Sequence, residues 1–268
     1  MNPAGSATPL RGDERATTIN GIPLMRADGF EACVPGLVAG ITTRSDRRVE
    51  TTGGPEPLDY RLSAGAQPSS VAETYLRLAE ALGFSGVAVG RQVHGAELLQ
   101  VDRASRSGMC VVGTGDGLVG PPQKCLLVVT VADCVPVYLV QPETRSLALL
   151  HAGWRGIAEG ILVRGIEHVT AGTAERRAAL RVHMGPAICG GCYEVGPEVT
   201  RALGLEAREN SNVDLREVIG RQAIDLGVPS NRVTSSSLCT RCDAEHFHSH
   251  RAAGDGAGRM AAFLGRTA

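Results

Sequence analysis

The sequence lacks the features that mark membrane and secreted proteins. No apolar run approaches the ~20 residues that a helix needs to cross a bilayer. The first 18 residues, MNPAGSATPLRGDERATT, contain no apolar segment of the kind found in a secretory signal. We therefore predict a disordered lead over residues 1–18, a single domain over residues 19–268, and a cytoplasmic protein with no membrane partner.

An excess of charge of one sign is also absent. The 27 Lys and Arg residues nearly balance the 28 Asp and Glu residues, so nothing predicts a general affinity for polyanions, and no nucleic-acid partner is expected. Eight cysteines are present. Without a secretory signal they are expected to be reduced thiols, metal ligands or core residues, because disulfides belong to oxidising compartments.

Apolar patterning alternates between strand and helix along the chain. Residues 71–82 and 157–169 have helical spacing, whereas residues 87–93 and 181–184 have the composition of strands. No internal repeat and no long linker divides the chain. The pattern predicts an α/β fold with a mixed sheet.

The segment from residue 129 to residue 156, VTVADCVPVYLVQPETRSLALLHAGWRG, contains two apolar runs around a polar turn. If the runs form a hairpin, a loop of two residues (142–143) or of four (141–144) gives the same register. Cys134 is then directly opposite His151, with Cβ atoms roughly 4.5–5.5 Å apart. Pro136 weighs against a central strand, because proline cannot donate to a ladder and belongs at an edge or a strand start.

Three residues form a candidate metal site, namely His94, Cys134 and His151. Two imidazoles and one thiolate are a common zinc shell, and three protein ligands leave a fourth position open. Zinc in such a site lowers the pKa of its water toward ~7, and copper is also possible, because affinity tends to favour copper over zinc. The competing interpretation is a core thiol and two ordinary hydrogen-bonding histidines.

Other chemistry-bearing residues lie in glycine-rich loops and in the C-terminal third. Cys189-x-x-Cys192 and Cys239-x-x-Cys242 are two knuckles of the kind that hold structural zinc. Their long separation favours buried or pocket-lining thiols instead. The loops GTGDG and GPAICGG can present backbone N–H groups to phosphate, but neither matches a nucleotide-binding fingerprint.

Seven motifs, in this order along residues 90–265, resemble the YfiH family: RQVHG (91–95), GDGLV (115–119), TVADCVPVYL (130–139), HAGWRG (151–156), GPAICGGCYEVG (185–196), LCTRC (238–242) and SHR…GRMA (249–261). The resemblance implies zinc bound by His94, Cys134 and His151. It also implies a layered α/β/β/α sandwich with mixed sheets, shared with cytotoxic necrotizing factor-like cysteine hydrolases. Residues 45–70 depart from the family's usual pattern, in a region that borders the pocket in the family.

Members of the YfiH family have been labelled purine nucleoside phosphorylases, laccase-like polyphenol oxidases and peptidoglycan editing factors. The resemblance implies zinc-dependent phosphorolysis of adenosine, inosine or methylthioadenosine to a free base and ribose 1-phosphate, with deamination of adenosine. Asp133 is the candidate for a proton relay or for orienting a ligand, and Arg44, Arg155 and Arg251 are candidates for binding phosphate. A monomer or a homodimer is expected.

Three alternatives stay open from the sequence. One is a cysteine amidase acting on a cell-wall precursor, with Cys134 as nucleophile and His151 as base. Another is a copper-dependent phenol oxidase. The last is a binding protein without catalytic activity, whose metal is structural.

Overall fold

The computed structural model describes residues 10–12, 14–44, 60, 68–102, 107–120, 124–206 and 209–267. The strands are β1 (Leu10–Arg11), β2 (Arg15–Ile19), β3 (Ile22–Arg26), β4 (Leu37–Thr42), β5 (Gly86–Arg91), β6 (Leu98–Gln100), β7 (Gly108–Thr114), β8 (Gly117–Gly120), β9 (Cys125–Val131), β10 (Val135–Gln141), β11 (Ser146–Ala152), β12 (Arg181–Met184), β13 (Glu194–Val195), β14 (Ser211–Asn212), β15 (Val233–Ser235) and β16 (Met260–Arg266). The helices are α1 (Asp28–Glu31), α2 (Pro68–Ala81), α3 (Trp154–Ala158), α4 (Ile161–Thr170), α5 (Ala174–Ala179), α6 (Pro197–Ala202), α7 (Leu215–Asp225) and α8 (His250–Ala253).

Most strands belong to two seven-stranded mixed sheets. The first sheet has the order β1-β15-β12-β10-β11-β8-β6, and the second has the order β2-β3-β4-β16-β9-β5-β7. Among the described residues, only β13 and β14 pair outside these sheets. Each sheet combines parallel and antiparallel pairs, as the predicted mixed α/β class requires.

The two sheets pack face to face, and helices cover their outer faces. Along β10, Val137 and Leu139 join a core that includes residues of α4 and α7. The alternate residues Tyr138 and Val140 join a second core shared with β9 and β16 of the other sheet. A third core lies between the second sheet and α2. Because β10 is covered on both faces, all of its residues are apolar or buried. The predicted α/β/β/α layering is confirmed, whereas the likeness to cytotoxic necrotizing factor stays a prediction.

The register of the central hairpin differs from the predicted one. Pro136, not Cys134, pairs with His151, and the last pair is Gln141 with Ser146. The prediction is wrong by two residues because the side chain of Gln141 accepts hydrogen bonds from the backbone N–H groups of residues 143 and 144, at 2.7 and 3.1 Å. This organises a four-residue loop over residues 142–145. A shift of two residues keeps every side chain on its face, so Cys134 and His151 still reach the same end of the sheet.

The predicted N-terminal lead is wrong for part of its length. Leu10–Arg11 pairs with β15 and Arg15–Ile19 pairs with β3, because both segments complete edges of the two sheets. Residues 1–9 and 13 lie outside the described residues, as does most of the 45–70 region. Within that region, Tyr60 is buried and its carbonyl accepts a hydrogen bond from the hydroxyl of Tyr75 at 2.6 Å.

The helical segment after residue 156 is also divided. It forms α3 and α4, separated at Gly160, whose φ of +85° suits glycine. In the part of the chain that the structure describes, no helix combines the length and apolar content needed to cross a membrane.

Candidate active site

Three different elements bring His94, Cys134 and His151 together. His94 follows β5, Cys134 immediately precedes β10, and His151 lies near the end of β11. Their candidate ligand atoms all lie within 4.8 Å of one another, and the two imidazole centroids are 4.9 Å apart. His151 is buried, Cys134 is half-buried and His94 is exposed. The cluster is therefore anchored in the protein on one side and accessible on the other.

Asp116, which sequence reasoning did not assign to the site, holds this cluster in place. One of its carboxylate oxygens accepts hydrogen bonds from His151 Nδ1 at 2.7 Å and from the backbone N–H of His94 at 2.9 Å. The other accepts from the N–H groups of Val93 and Gly95 at 3.0 and 2.9 Å. This cage holds His94 in the left-handed region at φ +61°, where non-glycine residues are uncommon. The GDGLV motif was the available signal, because it places a buried acid in a turn.

The same contact determines which nitrogen of His151 faces the site. With Nδ1 bound to Asp116, Nε2 is the ring nitrogen left to meet a metal or a proton. A carboxylate behind a ligating histidine fixes the tautomer and raises the basicity of the ligand. Burial alone would raise the pKa of Asp116, but the hydrogen bonds from His151, Val93 and Gly95 outweigh it and hold that pKa below its ordinary value.

The thiol and the imidazole shift each other's ionisation. Burial raises the pKa of Cys134, but the charge of His151 and hydrogen bonds with both histidines lower that pKa to about 6. Burial lowers the pKa of His151, but the charge of Cys134 and the bond to Asp116 raise that pKa to about 9. Without a metal, the pair is therefore a thiolate and an imidazolium at neutral pH.

The surrounding backbone leaves room for an ion. A Cβ atom on Gly153 would lie 3.1 Å from Cys134 Sγ and 3.4 Å from His94 Cδ2, so glycine keeps the space beside both ligands open. Nearby along the chain, Gln92 forms hydrogen bonds with both backbone groups of Thr130, at 2.7 and 2.8 Å. Two imidazoles and a thiolate suit zinc or copper. The donor set and the open space thus fit a metal ion.

A cavity of about 1290 Å³ opens onto the three candidate ligands. Its lining includes Trp154, Tyr193 and four arginines, listed here: Arg91, Arg155, Arg251 and Arg259. The guanidinium of Arg155 lies 4.3 Å from the ring centroid of Trp154. That of Arg251 lies 5.0 Å from the ring centroid of Tyr193. Cationic and aromatic groups are therefore paired in the lining of the cavity. Two of the arginines, Arg91 and Arg259, were not predicted.

The remaining predicted residues fall into two groups. Asp133 lines the cavity, but its oxygens accept hydrogen bonds from the Thr240 hydroxyl and from the Arg251 backbone N–H, both at 2.6 Å. Arg44 is not among the residues that line the cavity, and its guanidinium donates to the carbonyl of Ala244 at 2.8 Å. Asp133, Arg155 and Arg251 thus line the same cavity as the three candidate metal ligands, whereas Arg44 does not.

Comparison with known proteins places the chain in one family. The purine nucleoside phosphorylase YlmD of Geobacillus stearothermophilus is 34% identical over 256 residues, which cover 86% of this chain and 90% of that protein. Adenosine deaminase RL5, from an unknown prokaryotic organism, is 30% identical over 253 residues, which cover 86% of this chain and 94% of that protein.

Solved structures agree with the sequence comparison. The crystal structure of YlmD matches with a TM-score of 0.76 and 30% identity, over 97% of this chain and 100% of that one. The hypothetical protein YfiH of Bacillus licheniformis matches with a TM-score of 0.78 and 25% identity, over 91% and 96%. The family model described as multi-copper polyphenol oxidoreductase laccase matches residues 38–267. The chain therefore belongs to this family, which is the YfiH family that its motifs resemble.

Proposed function

We propose that this protein is a zinc-dependent purine nucleoside phosphorylase that also deaminates adenosine. The observation that carries the proposal is the cluster of His94, Cys134 and His151 at a cavity lined by both aromatic and cationic side chains. Relatives named as a purine nucleoside phosphorylase and an adenosine deaminase support the same activities. The substrates are a purine nucleoside and inorganic phosphate.

The cavity offers a separate kind of contact to each part of the substrates. Tyr193 and Trp154 present flat surfaces for a purine, and Arg155 and Arg251 supply cations for a phosphate. In phosphorolysis a phosphate oxygen forms a bond to C1′ of the ribose, the bond from C1′ to the base nitrogen breaks, and that nitrogen takes up a proton. The arginine side chains offset the cost of removing water from the phosphate anion, and they position that anion for attack on C1′.

His94, Cys134 and His151 would hold the zinc ion. When bound, zinc supplies a Lewis acid in the cavity. Asp116 keeps Nε2 of His151 directed at the site, and Gly153 keeps the approach open. Asp133 orients Arg251 through the backbone N–H of that residue. Proton relay through Asp133, the predicted alternative, would use an acceptor site that its two hydrogen bonds leave open.

The test is chromatography of adenosine and inosine after incubation with the purified protein, with and without phosphate. Phosphate-dependent release of adenine and hypoxanthine, together with phosphate-independent formation of inosine from adenosine, is the expected result. His94→Ala should abolish both reactions, whereas His168→Ala, an exposed histidine on α4, should leave both unchanged. Full turnover by His94→Ala would refute the assignment. Metal analysis of the same samples distinguishes zinc from copper.

One observation favours a second candidate, a cysteine amidase. Cys134, His151 and Asp116 form a chain of hydrogen bonds, and the lowered pKa of Cys134 gives the thiolate that such hydrolases use. In this function the enzyme would need no metal. Amide hydrolysis that survives chelation and stops after alkylation of Cys134 would support the amidase; loss of nucleoside turnover on chelation would support the phosphorylase.

A further inference from the structure

Four further cysteines form a second cluster in the described part of the chain. Cys189, Cys192, Cys239 and Cys242 come from two loops that are distant in sequence, yet their sulfur atoms all lie within 4.8 Å of one another. All four are free thiols. The two Cys-x-x-Cys knuckles therefore meet in space. Of the four thiols only Cys239 is buried, and none is among the residues that line the cavity.

Backbone contacts hold the two knuckles side by side. Ala187 and Cys239 form an isolated parallel bridge, and the N–H of Thr240 donates to the carbonyl of Ala187 at 3.2 Å. The guanidinium of Arg241 donates to the carbonyl of Cys192 at 3.3 Å. The cluster is therefore part of an ordered junction between the two loops.

The sulfur atoms have the arrangement of a metal site. With zinc–sulfur bonds of about 2.3 Å, a regular tetrahedron places its sulfurs about 3.8 Å apart. Cys192 Sγ and Cys242 Sγ lie 3.4 Å apart. The N–H groups of Cys189 and Cys242 point at Cys239 Sγ, at 3.3 and 3.4 Å. Such donors stabilise a thiolate, and Arg241 adds positive charge nearby.

We propose that Cys189, Cys192, Cys239 and Cys242 bind a second zinc ion in a closed tetrathiolate site. Four protein ligands leave no open position, so the role of this ion is structural. The site joins the loop that carries Tyr193, which lines the cavity, to the loop that carries Thr240. The hydroxyl of Thr240 donates to Asp133, the neighbour of the candidate ligand Cys134. The second zinc thereby stabilises the two loops that position Tyr193 and Asp133 at the cavity. This inference does not rest on the proposed function.

The decisive experiment measures zinc per chain in the full-length protein, purified under reducing conditions from zinc-supplemented cells. The double variant Cys192→Ser/Cys242→Ser should contain one zinc ion fewer than the wild type and unfold at a lower temperature. Cys33→Ser, a half-buried thiol outside both clusters, should retain the wild-type zinc content. Equal zinc content in the wild type and the double variant overturns the proposal, as does iron in place of zinc.

A second measurement tests the proposal if the variant Cys192→Ser/Cys242→Ser does not fold. The metal-free variant His94→Ala/His151→Ala, which lacks the first site, is titrated with cobalt(II). One bound equivalent with the intense charge-transfer and d–d bands of tetrahedral cobalt thiolate supports the proposal. No bound cobalt, or a Cys192–Cys242 disulfide in the mass spectrum of the reduced preparation, overturns it. Because neither measurement uses a nucleoside, failure here is distinguishable from failure of the proposed activity.

Discussion

Asp116→Asn removes one charge from the centre of the site and changes almost nothing in size. The Asp116 side chain is fully buried and accepts four hydrogen bonds, two on each oxygen. An asparagine has only one acceptor oxygen. If the NH₂ group is turned toward Val93 and Gly95, it faces two backbone donors. If it is turned the other way, it faces the N–H of His94, and His151 accepts from it only after its proton moves from Nδ1 to Nε2.

The one or two donors left without an acceptor set the expected size of the effect. A buried donor left unsatisfied costs about 1–3 kcal/mol, and the backbone donors here are only partly buried. We therefore expect the metal-free protein to lose about 2 kcal/mol of unfolding free energy at neutral pH, the lower end of the range for two donors. Loss of a carboxylate behind a ligating histidine should also weaken metal binding by about 10- to 100-fold.

The lowered pKa of Asp116 sets the pH range of this difference. A carboxylate with a depressed folded-state pKa contributes stability above its unfolded pKa and loses it as the pH falls through the folded pKa. The gap between wild type and Asp116→Asn should therefore be full at neutral pH and disappear only in acid below the ordinary range for aspartate.

Urea denaturation of the metal-free proteins and competition titration with a zinc indicator measure the two effects separately. Asp225→Asn, an exposed aspartate at the end of α7, is the matched control and should change neither quantity. If Asp116→Asn unfolds at the wild-type urea concentration and binds zinc with wild-type affinity, the carboxylate does not organise the site as described.

Three further predictions concern the ligands and the cavity. Gly153→Ala should lower the amount of bound metal without unfolding the protein, because the added Cβ lies 3.1 Å from Cys134 Sγ. Metal analysis with circular dichroism tests this. The control is Gly29→Ala, whose Cβ would meet nothing within 4 Å. In metal-free protein, alkylation of Cys134, mapped by mass spectrometry, should reach half its maximal rate near pH 6, since the thiolate forms above that pKa. Zinc should protect Cys134 from alkylation. A midpoint near pH 9 would contradict the ion pair of Cys134 and His151. Arg155→Ala should raise the KM for phosphate several-fold more than the KM for inosine, with Arg164→Ala, an exposed arginine on α4, as control; equal changes in both KM values would remove Arg155 from the phosphate site.

Local patterns predicted three candidate metal ligands, whose ligand atoms the structure brings within 4.8 Å of one another. His94, Cys134 and His151 each lie where an apolar strand gives way to a glycine-containing turn, and such positions place side chains at the end of a sheet. The layered fold followed from the resemblance of the motifs, and the alternation of strands and helices gave the α/β class. Nothing local, however, fixed His94 beside the other two ligands.

The register of β10 against β11 could not be predicted from the local sequence. The side chain of Gln141 caps the turn and moves the pairing by two residues, a contact that turn composition does not encode. Cys134 nevertheless stays on the predicted face, because side chains alternate with a period of two residues.

The sequence by itself indicated the α/β class and the family, and it predicted His94, Cys134 and His151 as candidate ligands. Only the tertiary structure decided that Asp116 is a partner of His151 and that four cysteines from two distant loops meet. Both depend on chain segments separated by 35 and 50 residues. Their approach is set by the packing of whole sheets and by loop-to-loop backbone bonds, which a single stretch of sequence does not specify.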